Sequence, residues 1–328
     1  MLLNIIADYG ILHTMKLSRC ILSVLAVMAT GGYAHADDAA RVAELTQLYD
    51  ATSAVCGGIS DELQRLKNMT TAGTVVSGVG TVAAGGALYA GLSKAQIDKE
   101  IERLEKQICD AGGCDLDTVQ GMSRTTFFNS VVQPMSEIAE LKRQLADAEE
   151  RSIRAGNWRT GLMAGATATN ITSAILSGIN HDQSDLIQKI EACNNAIDMV
   201  NRVDISGINP FENPIVNKLD GIKTWCKHLD VAEIEKFEKQ QTVVMGTSIA
   251  GAATGATGTA TSAAANSNGV RKDNTDAGKK KEKNLNTTAN VMAGATTVLG
   301  GVSTGFNIAS LTKINKIIKE TGRCEENF

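Results

Sequence analysis

Four stretches of this chain, Thr70–Ser93, Thr160–Asn180, Gln241–Asn268 and Asn286–Thr312, carry no Asp, Glu, Lys or Arg and consist mostly of Gly, Ala, Ser and Thr. Small residues recur in them at intervals of four. Gly161, Gly165, Thr169, Ser173 and Ser177 form one row. Gly251, Gly255, Thr259 and Ala263 form a second, and Ala293, Thr297, Gly301, Gly305 and Ala309 a third. That interval puts them on one helix face, where missing bulk lets a neighbouring backbone come close. A glycine inside a helix costs about 1 kcal/mol relative to alanine. Segments so rich in it stay helical only if tight packing offsets the cost. The pattern therefore demands helix against helix at short range, with Gly161, Gly165, Gly251, Gly255, Gly301 and Gly305 as packing positions.

The segments between them are charged and amphipathic. Ile97, Ile101, Leu104 and Ile108 step by three and four, as do Ile138, Leu141 and Leu145. So do Leu186, Ile187, Ile190, Ile197 and Val200, and again Val231, Ile234 and Phe237. These are narrow helical stripes, closer to a coiled-coil seam than to a broad globular face. Asp230 and Glu233 sit at capping-box spacing ahead of the last one. Three prolines permit long uninterrupted helices, and 4% aromatics leave Ala, Gly, Val, Ile and Leu to fill the interior. The fold class this predicts is all-α, built of long antiparallel helical hairpins. A degenerate repeat runs through it. Three times a small-residue stretch passes through an amphipathic helix to a cysteine, at Cys109, Cys193 and Cys324.

Residues 16–36 read as a secretory signal. Lys16 and Arg19 precede an apolar run, and Ala34-His35-Ala36 offers the small-x-small cleavage pattern. Met15 is its natural start, so residues 1–36 are the leader and the mature chain begins after Ala36. Residues 37–202 then hold two copies of the repeat. Residues 203–224, with Pro210 and Pro214, read as a linker, and 225–328 as a helical hairpin with a polar, lysine-rich turn at 266–286. Export makes the six remaining cysteines expected disulfides. Cys226 and Cys324 are nearly equidistant from the turn, so an antiparallel hairpin brings them together. The same argument gives Cys114–Cys193 and Cys56–Cys109, with Cys109–Cys114 as an alternative.

No constellation for catalysis stands out, so no enzyme and no cofactor are expected. His181 and His228 have no partner at ligand or triad spacing, and Gly78–Ala83 matches a dinucleotide fingerprint without its βαβ context. The formal charge of −4 argues against nucleic acid. Lys279, Lys280, Lys281 and Lys283 form a basic cluster suited to an anionic membrane surface. Two functional readings follow. In the first, the protein is exported to the periplasm, cell surface or medium and works through protein contacts, with itself or with an envelope or host protein. In the second, the small-residue hairpins enter a membrane, as a pore former or anchored assembly, although Gln241–Asn268 is too weakly apolar to insert alone.

Overall fold

The computed structural model describes residues 38–111, 133–271, 275–326 and 328. The expected leader and Cys114 lie outside them. Among the described residues there are eight helices and no strand. They are α1 (Asp38–Cys56), α2 (Ile59–Asp110), α3 (Gln133–Ile179), α4 (Ser184–Arg202), α5 (Pro214–Trp225), α6 (Val231–Asn266), α7 (Asn268–Arg271) and α8 (Asp276–Glu325). The protein is all-α, and four helices are long: 52 residues in α2, 47 in α3, 36 in α6 and 50 in α8.

The helix ends follow from local chemistry. At the end of α1 the Gly57 N–H donates to the Ser53 carbonyl, and Gly58 turns the chain at φ 82°, a left-handed conformation natural to glycine. At the start of α6, the Asp230 carboxylate accepts from the Ala232 N–H at 2.9 Å, an N-cap on the residue the sequence marked. The Thr275 hydroxyl accepts from the Gly278 N–H at 3.1 Å and caps α8.

The chain divides into two compact units, each assembled from separate stretches of sequence. The first comprises residues up to Gln64, Ser184–Ile234 and Asn315–Phe328. Its core is aliphatic: Ile59, Leu63, Ile190, Ile197, Leu219, Ile222 and Ile234 are fully buried. Helix α1 packs on α4 and α5, and these two pack on each other. Asn194 ties α4 to the segment before α6 by a reciprocal pair with Leu229. Its Nδ2 donates to the Leu229 carbonyl and its Oδ1 accepts from the Leu229 N–H, both at 2.9 Å. The Lys218 ammonium lies 4.5 Å over the Tyr49 ring.

Two disulfides lock this unit. Cys226 pairs with Cys324, and Cys56 pairs with Cys193. The second overturns the expected Cys56–Cys109 and Cys114–Cys193 links. The chain returns through α4, which packs on α1, so Cys193 meets Cys56 across that helix pair. Cys109 is itself disulfide-bonded. Disulfides are the covalent chemistry of an oxidising, extracytoplasmic compartment.

Two boundaries move. The expected linker at 203–224 is a linker only as far as Asn213. Pro214 opens α5, where a fixed φ suits a first turn and the missing N–H removes no helical bond. Val216, Leu219 and Ile222 then bury one face of it. The segment falls inside the first unit rather than between units. The lysine-rich turn is shorter than 266–286 too. Residues 276–286 are the first turns of α8, because lysine and glutamate are good helix formers once Thr275 caps the start.

Candidate functional site

The second unit, Arg65–Gln183 and Glu235–Ile314, contains all four charge-free stretches. Burial along α2 falls on Thr70, Gly73, Ser77, Gly80, Ala84, Ala87, Gly91 and Lys94. On α3 it falls on Ser152, Gly156, Arg159, Met163, Ala166, Asn170, Ser173 and Ser177. Helix α6 buries Gln241, Val244, Ser248, Gly251, Gly255, Gly258, Ser262 and Ala265, and α8 buries Ala289, Ala293, Thr296, Gly300, Ser303, Asn307 and Ser310. The steps alternate between three and four. A 3.5-residue repeat holds one stripe against neighbouring helices, whereas a strict interval of four rotates roughly 40° further round at each step. The expected rows therefore drift off the seam. Gly251 and Gly255 are buried packing positions, but Gly161, Gly165, Gly301 and Gly305 face outward with nothing close to where a Cβ would stand.

The buried glycines explain the tight approach. A Cβ on Gly255 would lie 2.5 Å from Thr167 Oγ1, and one on Gly300 would lie 2.6 Å from Thr81 Oγ1. The interior that results is small and polar. The Ser248 hydroxyl donates to Ser173 Oγ and lies against Ser303 Oγ, both at 3.1 Å, so one layer joins α3, α6 and α8. Ser77 on α2 accepts from Thr304 at 3.2 Å, and the Thr254 and Thr296 hydroxyls meet at 2.9 Å. Many threonines also donate to the carbonyl four residues back, as Thr81 does to Ser77 and Thr304 to Gly300. Asn170, beside Gly251, is buried with neither Oδ1 nor Nδ2 hydrogen-bonded to protein, and Asn307, beside Gly73, is buried with its Nδ2 unpartnered.

The outer surface is the reverse. Val75, Val79, Val82, Tyr89 and Leu92 project from α2, and Trp158, Ile171, Ile175 and Ile179 from α3. Val243 and Ile249 project from α6, and Val291, Val298, Val302, Phe306 and Ile308 from α8. Val79, Val82, Ile175 and Val298 are each more than half exposed. At 1.5 Å per residue this belt is about 26 Å tall on α2 and α8 and about 32 Å on α3. A bilayer's hydrocarbon core is about 30 Å. Two helical stretches, within Ala40–Asp110 and Ser136–Arg202, are long and apolar enough to cross a membrane by themselves.

One end of the seam holds buried charge. Arg159 is fully buried, and its guanidinium donates to Ser262 at 2.8 Å, Asn286 at 2.7 Å and Asn290 at 3.2 Å. Lys94, also buried, reaches Asp98 at 2.8 Å and Glu282 at 3.2 Å. Ser152 donates to Asp98 at 2.7 Å. Four helices thus meet through two cations and two carboxylates. Gly91 and Gly156 make room for Asn290 and Asn266 there. Sequence reasoning missed this cluster. The available signal was that Lys94 and Arg159 stand at the very edges of charge-free stretches.

The other expected site residues are scattered. Lys279, Lys280, Lys281 and Lys283 are exposed on the first turns of α8, where Lys279 pairs with Glu105 at 3.2 Å. His228 meets Asp198 at 2.8 Å on the surface. Among the described residues no group of His, Cys, Asp and Glu is arranged to hold a metal. No family model matches the chain, and neither a curated protein nor a solved structure matches it.

Proposed function

We propose that this protein is exported, braced by disulfides, and seated in a lipid bilayer through its small-residue bundle, acting by packing and assembly rather than by catalysis. One observation carries the reading: over the charge-free stretches most of the large apolar side chains point outward, Met163 and Val244 being exceptions, while Ser77, Ser173, Ser248, Ser262, Ser303, Asn170 and Asn307 point inward. Water favours the opposite arrangement, since burying apolar area is the main force for folding there. Lipid does not, because hydrocarbon tails are as apolar as leucine. Helices then associate through small residues and polar contacts, which are the contents of this seam. Tyr89 and Trp158 lie near one rim of the belt, the depth at which such rings prefer the interface. Helices α6 and α8 lack the hydropathy to cross alone, so α2 and α3 carry them in as part of a bundle.

The protein-contact reading keeps one supporting observation. The outward face of α6 is nearly all small, with Gly246, Ala250, Ala253, Thr257, Ala260 and Ala264 exposed, a surface another helix fits.

The two tryptophans, Trp158 and Trp225, lie in different units, so a Trp225→Phe chain reports on the belt alone. Mixed with phosphatidylcholine vesicles containing anionic lipid and brominated tails, that chain is expected to float with the vesicles, resist carbonate extraction and show quenched Trp158 emission. A chain left at the bottom of the gradient with unquenched emission overturns the membrane reading. Size-dependent self-association in the same sample would then favour protein contact.

A further inference from the structure

The outer face of α3 carries a dent where the apolar belt meets its rim. Arg154, Asn157, Trp158, Gly161 and Leu162 line an open depression of about 360 Å³, a volume in the range of small-molecule sites. Two glycines shape it. At Gly161 nothing stands within 4 Å of where a Cβ would be, and a Cβ on Gly86 of α2 would lie 3.2 Å from Leu162 Cδ1. Leu162 therefore leans over Gly86, packs against the buried Ala87, Met163 and Ala293, and forms an apolar floor. The exposed Trp158 borders it.

The lining changes character along the helix axis. Arg154 lies one turn, about 6 Å, outside Trp158, and Leu162 about 6 Å inside it at 1.5 Å per residue. Cation, amide, indole and aliphatic floor thus follow one another in the order of a phospholipid's phosphate, glycerol esters and acyl chain. The depth agrees. Trp158 sits at the rim of the belt, where indole rings prefer the interface, and a cation one turn further out is at headgroup level. Gly165, one turn further in, is equally bare, so the apolar path continues along α3 into the belt. Arg154 does meet Glu150 at 2.7 Å, with both side chains on the surface. A pair so exposed adds little, and one carboxylate oxygen leaves most of the guanidinium's five N–H donors for a phosphate.

We propose that this dent binds one anionic phospholipid, its phosphate on Arg154 and Asn157 and the start of an acyl chain against Gly161 and Leu162. The inference rests on the membrane reading above and adds a specific lipid to it.

The test uses the purified full chain in phosphatidylcholine vesicles doped with a phosphatidylglycerol that carries a diazirine near the ester end of one acyl chain. After flotation and irradiation, labelled residues are mapped by mass spectrometry. Labelling is expected to concentrate on residues 157–165 and to be largely lost in Gly161→Trp, which fills the dent. In Arg154→Gln it should fall about fivefold, the loss of one basic contact at an anionic surface. Gly301→Trp, the same bulk at a bare outward position of α8, is expected to leave it unchanged. Arg154 lies outside the seam, so Arg154→Gln carries the test alone if Gly161→Trp loses helical circular dichroism. Labels spread along the belt and indifferent to both α3 variants would overturn the site and leave the membrane reading standing. Equal labelling by the matching phosphatidylcholine probe, or labelling abolished by soluble glycerol phosphate, would overturn the assignment to an anionic lipid. A chain that does not float sinks the membrane reading and the site with it.

Discussion

The two units use the same buried rhythm and fill it with opposite materials. In the first, steps of three and four bury Ile59 and Leu63 on α2 and Ile190, Cys193 and Ile197 on α4. In the second, the same steps on the same helix bury Gly73, Ser77, Gly80 and Ala84. The rhythm therefore decides which residues face the neighbouring helices, while side-chain size decides how near those helices come. Where the seam is aliphatic, apolar burial and two disulfides hold the unit. Where it is glycine, serine and alanine, close backbones and hydroxyl pairs do so, and the valines and isoleucines are displaced outward.

Removing one of its two covalent links should affect the first unit most. Replacing Cys226 and Cys324 with serine opens a loop of 98 residues, and the chain-entropy model puts the loss at about 4–5 kcal/mol. Denaturant titration followed by Trp225 in a Trp158→Phe background should show that loss, with helices of the second unit melting where they did before. Equal destabilisation of both would mean they do not differ in what holds them.

In the second unit the largest single effect is expected at its buried cation. Arg159→Ala strands Ser262, Asn286 and Asn290 and leaves a void, for about 3 kcal/mol. Trp158 emission against denaturant reads it directly. Ile175→Lys should cost vesicle binding about 2.5 kcal/mol, because a lysine near mid-bilayer is that unfavourable. The same change on a surface meant for water would move stability by less than about 0.5 kcal/mol, so co-flotation of the variant decides what the belt faces. The smallest effect is expected for Ser248→Ala, about 1 kcal/mol for the two lost hydroxyl contacts. A loss as large as that from truncating a buried isoleucine would show that the serine layer is cooperative.

Much of the fold was legible in the sequence: helix type, the absence of strands among the described residues, and the meeting of Cys226 with Cys324. The orientation of the second unit was not, for a specific reason. Val75, Val79, Val82, Gly86 and Tyr89 step by four and three just as Gly73, Ser77, Gly80, Ala84 and Ala87 do. Helix α2 thus carries two stripes of equal period, and periodicity cannot choose between them. Reading small residues at strict intervals of four compounded this, because the true seam shortens every second step and leaves Gly161 and Gly301 outside. The Cys56–Cys193 link was hidden because hairpin symmetry pairs cysteines along adjacent strokes of the chain. The first unit instead gathers α1, α4 and the end of α8 from distant parts of it.

The serine layer has a thermal consequence. Heat capacity rises on unfolding in proportion to the apolar area newly wetted and falls with the polar area. A seam of hydroxyls and glycines hides little of the first kind, and its apolar belt is already outside. Unfolding the second unit should therefore change heat capacity far less per residue than unfolding the first. Its stability curve should be flat, with little loss on cooling, so chilling the protein would loosen the disulfide-bonded unit before the bundle.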